Sequence, residues 1–251
     1  MVDGFVPLSV VAHAKQIGLK DELRTFLFLK YKFHLIGSFK LDKELTVQLA
    51  DELSVSDATF FRHLAKLRDV NYIGKTKKKV YYLRGYGTLI DQFKLPKTRK
   101  VILRQEYLVN KEYFRPYLVC AFAGSECINY KIDLRRGEPK KDGLYQPRQE
   151  SKILRIQRNY ACSLSARFLE NVTGFKRSSN SSLMNKGVEL GFIYKEEDRE
   201  FIGLPASEIH YMRSEWEIGA PFPVIHKGYV WLRHPDKYLP KLIYKRGRYY
   251  R

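Results

Sequence analysis

Cysteine is scarce in this chain of 251 residues. The three present, Cys120, Cys127 and Cys162, cannot build a disulfide framework and show no zinc-ligand spacing. Each reads as a small buried apolar residue. Long apolar runs are missing too. The longest, Tyr117 to Gly124, is far short of a bilayer span, so no membrane partner is expected. The first residues lack a basic region, an apolar stretch and a small-residue cleavage site. Secretion is therefore not expected, and a cytoplasmic or nucleoid-associated location is. The six histidines are scattered, with no His-x-His or His-x-x-x-His pair, which argues against a metal site and against paired-histidine nickases. No Gly-x-x-x-x-Gly-Lys phosphate loop and no Gly-x-Ser-x-Gly elbow occur. Tyrosine is plentiful at 18, yet no Arg/His/Tyr recombinase constellation is recognisable. Neither an enzyme nor a cofactor is expected.

Negative charge is also in short supply. Lys plus Arg is 46 against 27 Asp plus Glu, a formal net charge of +19. Such an excess points to a polyanionic partner. It is spread along the chain: 19 basic and 10 acidic side chains in residues 1–100, 12 and 7 in 101–160, 15 and 10 in 161–251. Two places are denser. One is Lys75-Thr-Lys-Lys-Lys79. The other is Lys227 to Arg251, with eight basic residues, among them Lys245, Arg246 and Arg248, against Asp236 alone. That tail interleaves Tyr229, Trp231, Tyr238, Tyr244, Tyr249 and Tyr250. Cations pair with phosphates and rings stack on bases, so the tail suits nucleic acid.

Hydrophobic residues make up 44% of the chain, enough for a packed core. Asp21 to Phe33 has acids first and Lys last, which suits a helix dipole. In Lys43 to Glu52 and just beyond, Leu45, Leu49 and Leu53 recur at i, i+4, i+8, one face of a second helix. Ser54-Val55 breaks the pattern, and Ser56 can cap a new helix from Asp57 to Asp69. Phe60, Leu64 and Leu67 form its inner stripe. Thr59, Phe61, Arg62, His63 and Lys66 fall largely on the other faces. Then Asn71 to Lys75 and Val80 to Arg84 read as two strands around a basic turn.

Gln48 to Leu67 resembles the helix-turn-helix of DNA-binding proteins, with Ser54 in place of the usual turn Gly. Followed at once by a hairpin, it resembles a winged-helix domain. The resemblance implies a recognition helix in the major groove and a wing on the backbone or minor groove. It makes Ser56, Asp57, Thr59, Phe61, Arg62, His63, Lys66, Lys75, Lys77, Lys78 and Lys79 candidate DNA contacts.

The same frame recurs 120 residues later, at Gly174 to Ile193, with slight identity. Leu164 to Thr173 supplies the preceding helix, and Lys176, Arg177, Ser178, Ser179, Ser181 and Ser182 a polar, basic face. Asn180 stands where an apolar anchor is usual, and Gly187 sits inside the helix. Phe192 to Lys195 and Arg199 to Ile202 are expected to pair around an acidic turn at Glu196 to Asp198.

The expected fold is mainly α with small β-hairpins (α+β): two winged helix-turn-helix units joined by a linker, plus an extended basic C-terminal tail. The boundaries are 1–95 for the first unit and 96–150 for a connecting region with a flexible linker at 135–149. The second unit spans 151–204, with its first helix at Arg148 to Tyr160, and 205–251 is the tail. The architecture is similar to plasmid-type replication initiators. The expected partner is double-stranded DNA and the expected role transcription regulation. Origin binding, a scaffold role in a larger complex, RNA binding and homodimer formation stand as alternatives.

Overall fold

The computed structural model describes residues 4–136, 138–139, 145–146, 162–164, 166–197, 199–214, 221–233 and 237–245. The fold is α+β with small antiparallel sheets. The first half runs β1 (Gly4–Pro7), α1 (Leu8–Gln16), α2 (Asp21–Lys32), β2 (Ser38–Lys40), α3 (Lys43–Glu52), α4 (Asp57–Asp69), β3 (Ile73–Lys75), β4 (Val80–Leu83) and α5 (Tyr86–Gln92). The middle holds β5 (Lys100–Leu103), α6 (Gln105–Val109), α7 (Lys111–Arg136), β6 (Glu138–Pro139) and β7 (Tyr145–Gln146). The second half follows with β8 (Cys162–Ser163), α8 (Ala166–Thr173), α9 (Arg177–Glu189), β9 (Ile193–Glu196), β10 (Arg199–Pro205), α10 (Ile209–Ser214), β11 (Phe222–His226), β12 (Tyr229–Arg233), β13 (Lys237–Pro240) and β14 (Tyr244–Lys245).

The α3–α4 turn follows from its residues. Asp42 caps α3 by accepting from Leu45 N at 2.8 Å, and Ser56 Oγ accepts from Thr59 N at 3.3 Å to cap α4. Ser54 takes a left-handed φ of 52°, which lets Ser54 N and Val55 N close onto Asp51 O and Ala50 O. Leu49, Ala50, Leu53, Phe60, Leu64 and Leu67 are buried. The fully buried Arg24 of α2 donates to Leu53 O, fixing the carbonyl just before the turn. β3 and β4 pair around the basic turn as expected, and β2 adds a third strand in the order β2–β4–β3.

The second half repeats this frame. α4 spans 57–69 and α9 spans 177–189, so both ends are offset by 120 residues. Left-handed Ser54 (φ 52°) and Asn71 (φ 61°) are matched at the same offset by Gly174 (φ 67°) and Gly191 (φ 72°). The second sheet has the order β8–β13–β9, the counterpart of β2–β4–β3.

One expectation is corrected. β9 does not form a hairpin with β10. It pairs with β13, while β10 pairs with β12 in a separate sheet of order β10–β12–β11. The short turn of the first copy is thus replaced by a long insertion. α7 packs on α8, α9 and β13. It carries the buried segment Tyr117 to Ala123. Arg148 to Tyr160 lies outside the described residues, as does most of the expected linker at 135–149.

β1, β5 and β14 form a further sheet, with β5 in the centre. Tyr244 of β14 donates its hydroxyl to Ala121 O at 2.9 Å, anchoring this strand to α7. The buried apolar cluster is continuous from Val6 to Leu242, so the stretch at Pro96 to Lys100 leads into a central strand and not away from the core.

Candidate nucleic-acid interface

On α4, Ser56, Asp57, Ala58, Phe61, Arg62 and Ala65 are exposed, and Thr59 is half-buried. Phe61 keeps 47% of its surface open, although large apolar side chains on helices are usually buried. Thr59 Oγ1 accepts from Ser56 Oγ at 3.0 Å and from Arg62 Nη2 at 3.5 Å. His63 does not join this face. It is buried, with Nδ1 2.8 Å from Thr25 Oγ1, and burial holds its pKa below the usual value. The reason is helix geometry: position 63 is three after Phe60 and four before Leu67, on the inner stripe. Lys66 is tethered elsewhere, donating to Glu22 at 3.0 Å and to Gly18 O at 3.1 Å.

The turn after β3 is closed by Thr76, whose N donates to Val80 O and whose Oγ1 accepts from Val80 N. Lys79 takes a left-handed φ of 62° at the turn's end. Lys77, Lys78 and Lys79 are all exposed, and none joins an ion pair among the described residues. Lys75 Nζ lies 5.0 Å from the centre of the Tyr81 ring. Lys40, exposed on β2 and in register with Val80, adds a cation beside this turn. Sequence reasoning missed it, because a three-residue strand carries no periodic signal.

On α9, Lys176, Arg177, Ser178, Ser179, Ser181, Ser182 and Asn185 are exposed. Arg177 Nε pairs with Glu170 at 3.0 Å, so it serves partly to join α8 and α9. The anomalous Asn180 is buried and hydrogen-bonded at both ends of its amide. It accepts from Thr173 Oγ1 at 3.0 Å and donates to Phe175 O at 2.9 Å, a polar replacement for the apolar anchor at Phe60. Gly187 is required by close approach: a Cβ there would lie 2.1 Å from Cys120 Sγ on α7. Burial pushes the Cys120 thiol up to about 12, which leaves it unreactive.

In the acidic turn after β9, Glu197 pairs with Lys195 at 3.3 Å and with Arg199. Its third acid, Asp198, lies outside the described residues. Of the tail candidates, Lys245 is exposed on β14, with Nζ 4.0 Å from the Phe5 ring centre. Arg246 and Arg248 lie outside the described residues. Among the described residues, no group of three His, Cys, Asp or Glu side chains is placed to hold a metal, and no helix is long and apolar enough to cross a membrane.

Compared with protein-family models, with curated proteins and with solved structures, the chain matches none.

Proposed function

We propose that this protein binds double-stranded DNA sequence-specifically through two winged-helix units and regulates transcription. One observation carries the reading: the exposed faces of α4 and α9 fall at the same repeat positions. Ala58, Phe61, Arg62 and Ala65 correspond to Ser178, Ser181, Ser182 and Asn185, all exposed. The spacing i, i+3, i+4, i+7 makes each set one helix face of a width the major groove admits. Small residues at 58 and 65 let the α4 backbone approach the base edges. Arg62 offers a bidentate fork to guanine, and Phe61 an apolar contact to a thymine methyl. The serines of α9 and Asn185 suit phosphate and base hydrogen bonds. Lys77, Lys78, Lys79 and Lys40 grip phosphates beside α4. Binding needs no chemistry, because an occupied site recruits or blocks other machinery.

A replication initiator is the second reading. The tandem repeat supports it, since two reading helices on one chain suit the repeated sites of an origin.

Salt titration tests the shared claim. Binding to a random duplex is expected to fall about 10³-fold or more between 50 and 200 mM salt. Replacing Lys77, Lys78 and Lys79 together by Ala should lower the slope of log K against log salt by about 2 to 3. A flat salt response in the parent protein overturns the reading.

A further inference from the structure

A cavity of about 220 Å³ lies where the C-terminal end of α2 meets β1, β5 and the start of α5. Phe5, Tyr31 and Tyr86 bring three aromatic rings to its lining, and Gly4 and Leu103 complete the wall on the sheet side. A Cβ on Gly4 would meet only Leu103, at 3.9 and 4.0 Å, so the glycine leaves open space rather than avoiding a clash. Lys30 and the exposed His34 also line the cavity, and none of its lining residues is acidic. The volume is below that of a drug-sized site and suits a molecule of about one ring.

Two donors in this lining have no hydrogen-bond partner among the described residues: the Lys30 ammonium and the Tyr86 hydroxyl. They are neighbours, with Lys30 Nζ 5.3 Å from the Tyr86 ring centre. Lys30 is half-buried and joins no ion pair among the described residues. Burial lowers its pKa, and no carboxylate stands by to raise it. The end of α2 does not use this ammonium, since His34 Nδ1 donates to Tyr31 O at 3.0 Å. Burial also holds the Tyr86 phenol well above its usual pKa, so it keeps its proton and can donate. A partly desolvated cation beside a ring lacks a counter-charge, and an anion placed there gains a charge-assisted hydrogen bond.

We propose that this cavity binds a small aromatic carboxylate, a single ring bearing one carboxyl group. The ring lies among Phe5, Tyr31 and Tyr86, and the carboxylate accepts from Lys30 Nζ and Tyr86 Oη. Each feature of the lining narrows the class. An ammonium without an acid nearby excludes a cationic ligand. One ammonium and one hydroxyl match a single carboxylate, whereas a phosphate dianion calls for further donors. Three rings favour a flat apolar body over a flexible chain. The volume excludes a nucleotide. The site uses no residue of α4, α9 or the basic turn, so it stands apart from the DNA-binding reading.

The test uses the full chain and benzoate, read by titration calorimetry. Benzoate should bind the parent protein, with benzyl alcohol and benzylammonium at least about tenfold weaker. Cyclohexanecarboxylate keeps the charge but loses the flat ring, and should bind about threefold or more weakly than benzoate. Lys30→Met should weaken benzoate at least about tenfold and Tyr86→Phe about two- to tenfold, while Lys30→Arg retains binding. Lys30→Met removes a charge that has no ion-pair partner, so its melting temperature should equal or exceed the parent's. The proposal falls if benzoate does not bind the parent protein up to about 10 mM. It falls equally if benzyl alcohol binds as well as benzoate, or if Lys30→Met binds benzoate as the parent does. Should Lys30→Met melt lower than the parent, unchanged benzoate affinity in Tyr86→Phe overturns the proposal instead. Equal or tighter binding of cyclohexanecarboxylate overturns the aromatic class and assigns the cavity to an aliphatic acid. None of these outcomes depends on duplex binding, so the two readings fail separately.

Discussion

Arg62 and His63 are chain neighbours with opposite surroundings, one in water and one against Thr25. The burial that removes His63 from the exposed face of α4 makes it a pH-sensitive part of the core. Its folded pKa is lowered, chiefly by burial, so the unfolded chain takes the proton first. Stability is then level above the unfolded value of about 6.5 and falls as pH drops below it, until the folded pKa is reached. His13, also lowered by burial, acts in the same direction. The melting temperature should fall between about pH 7.5 and about pH 5.5, and His63→Gln should lessen that fall. An equal fall in both proteins contradicts the assignment. His63 was expected among the DNA contacts, although it follows the same helical period as Phe60, Leu64 and Leu67. Its partner was not legible, because Thr25 is 38 residues away and only packing of α2 on α4 joins them.

At the scale of elements, the repeat was readable where backbone geometry constrains the residue. Gly174 and Gly191 mark left-handed positions, and these framed the second copy despite slight identity. Asn180 and Gly187 looked like defects in that copy. Asn180 is satisfied by Thr173 and Phe175 O, and Gly187 gives α9 its close contact with α7. Gly187→Ala should destabilise the fold by roughly 1–3 kcal/mol, as overpacking does, despite the better helix propensity of Ala. Adding Cys120→Ala should restore most of the loss, because the Cys120 Cβ lies 3.7 Å from the added methyl, an ordinary contact. Denaturant midpoints for the two single variants and the double variant give the coupling directly. Independent, additive effects would refute the contact. The pairing of β9 with β13 was not legible. β10 begins three residues after β9 ends, whereas β13 begins only at Lys237, so local sequence favours the hairpin.

At the scale of the whole molecule, the middle of the chain joins the halves. β5 lies between β1 and β14, and α7 packs against α8 and α9 of the second copy. Lys15 of α1 stacks over Phe175, just before α9. These contacts arise from residues far apart in sequence, which composition alone does not show. α4 and α9 belong to one continuous core. Under the proposed function, that shared core sets two half-sites at one fixed spacing.

Selection of bound fragments from a random duplex pool tests that claim most directly. The parent protein should enrich two half-sites at one spacing. Arg62→Ala should relax base choice in one half-site and Ser182→Ala in the other, each by a few-fold to about 100-fold at the affected position. No enrichment, or a uniform loss across all positions in both variants, would contradict the account.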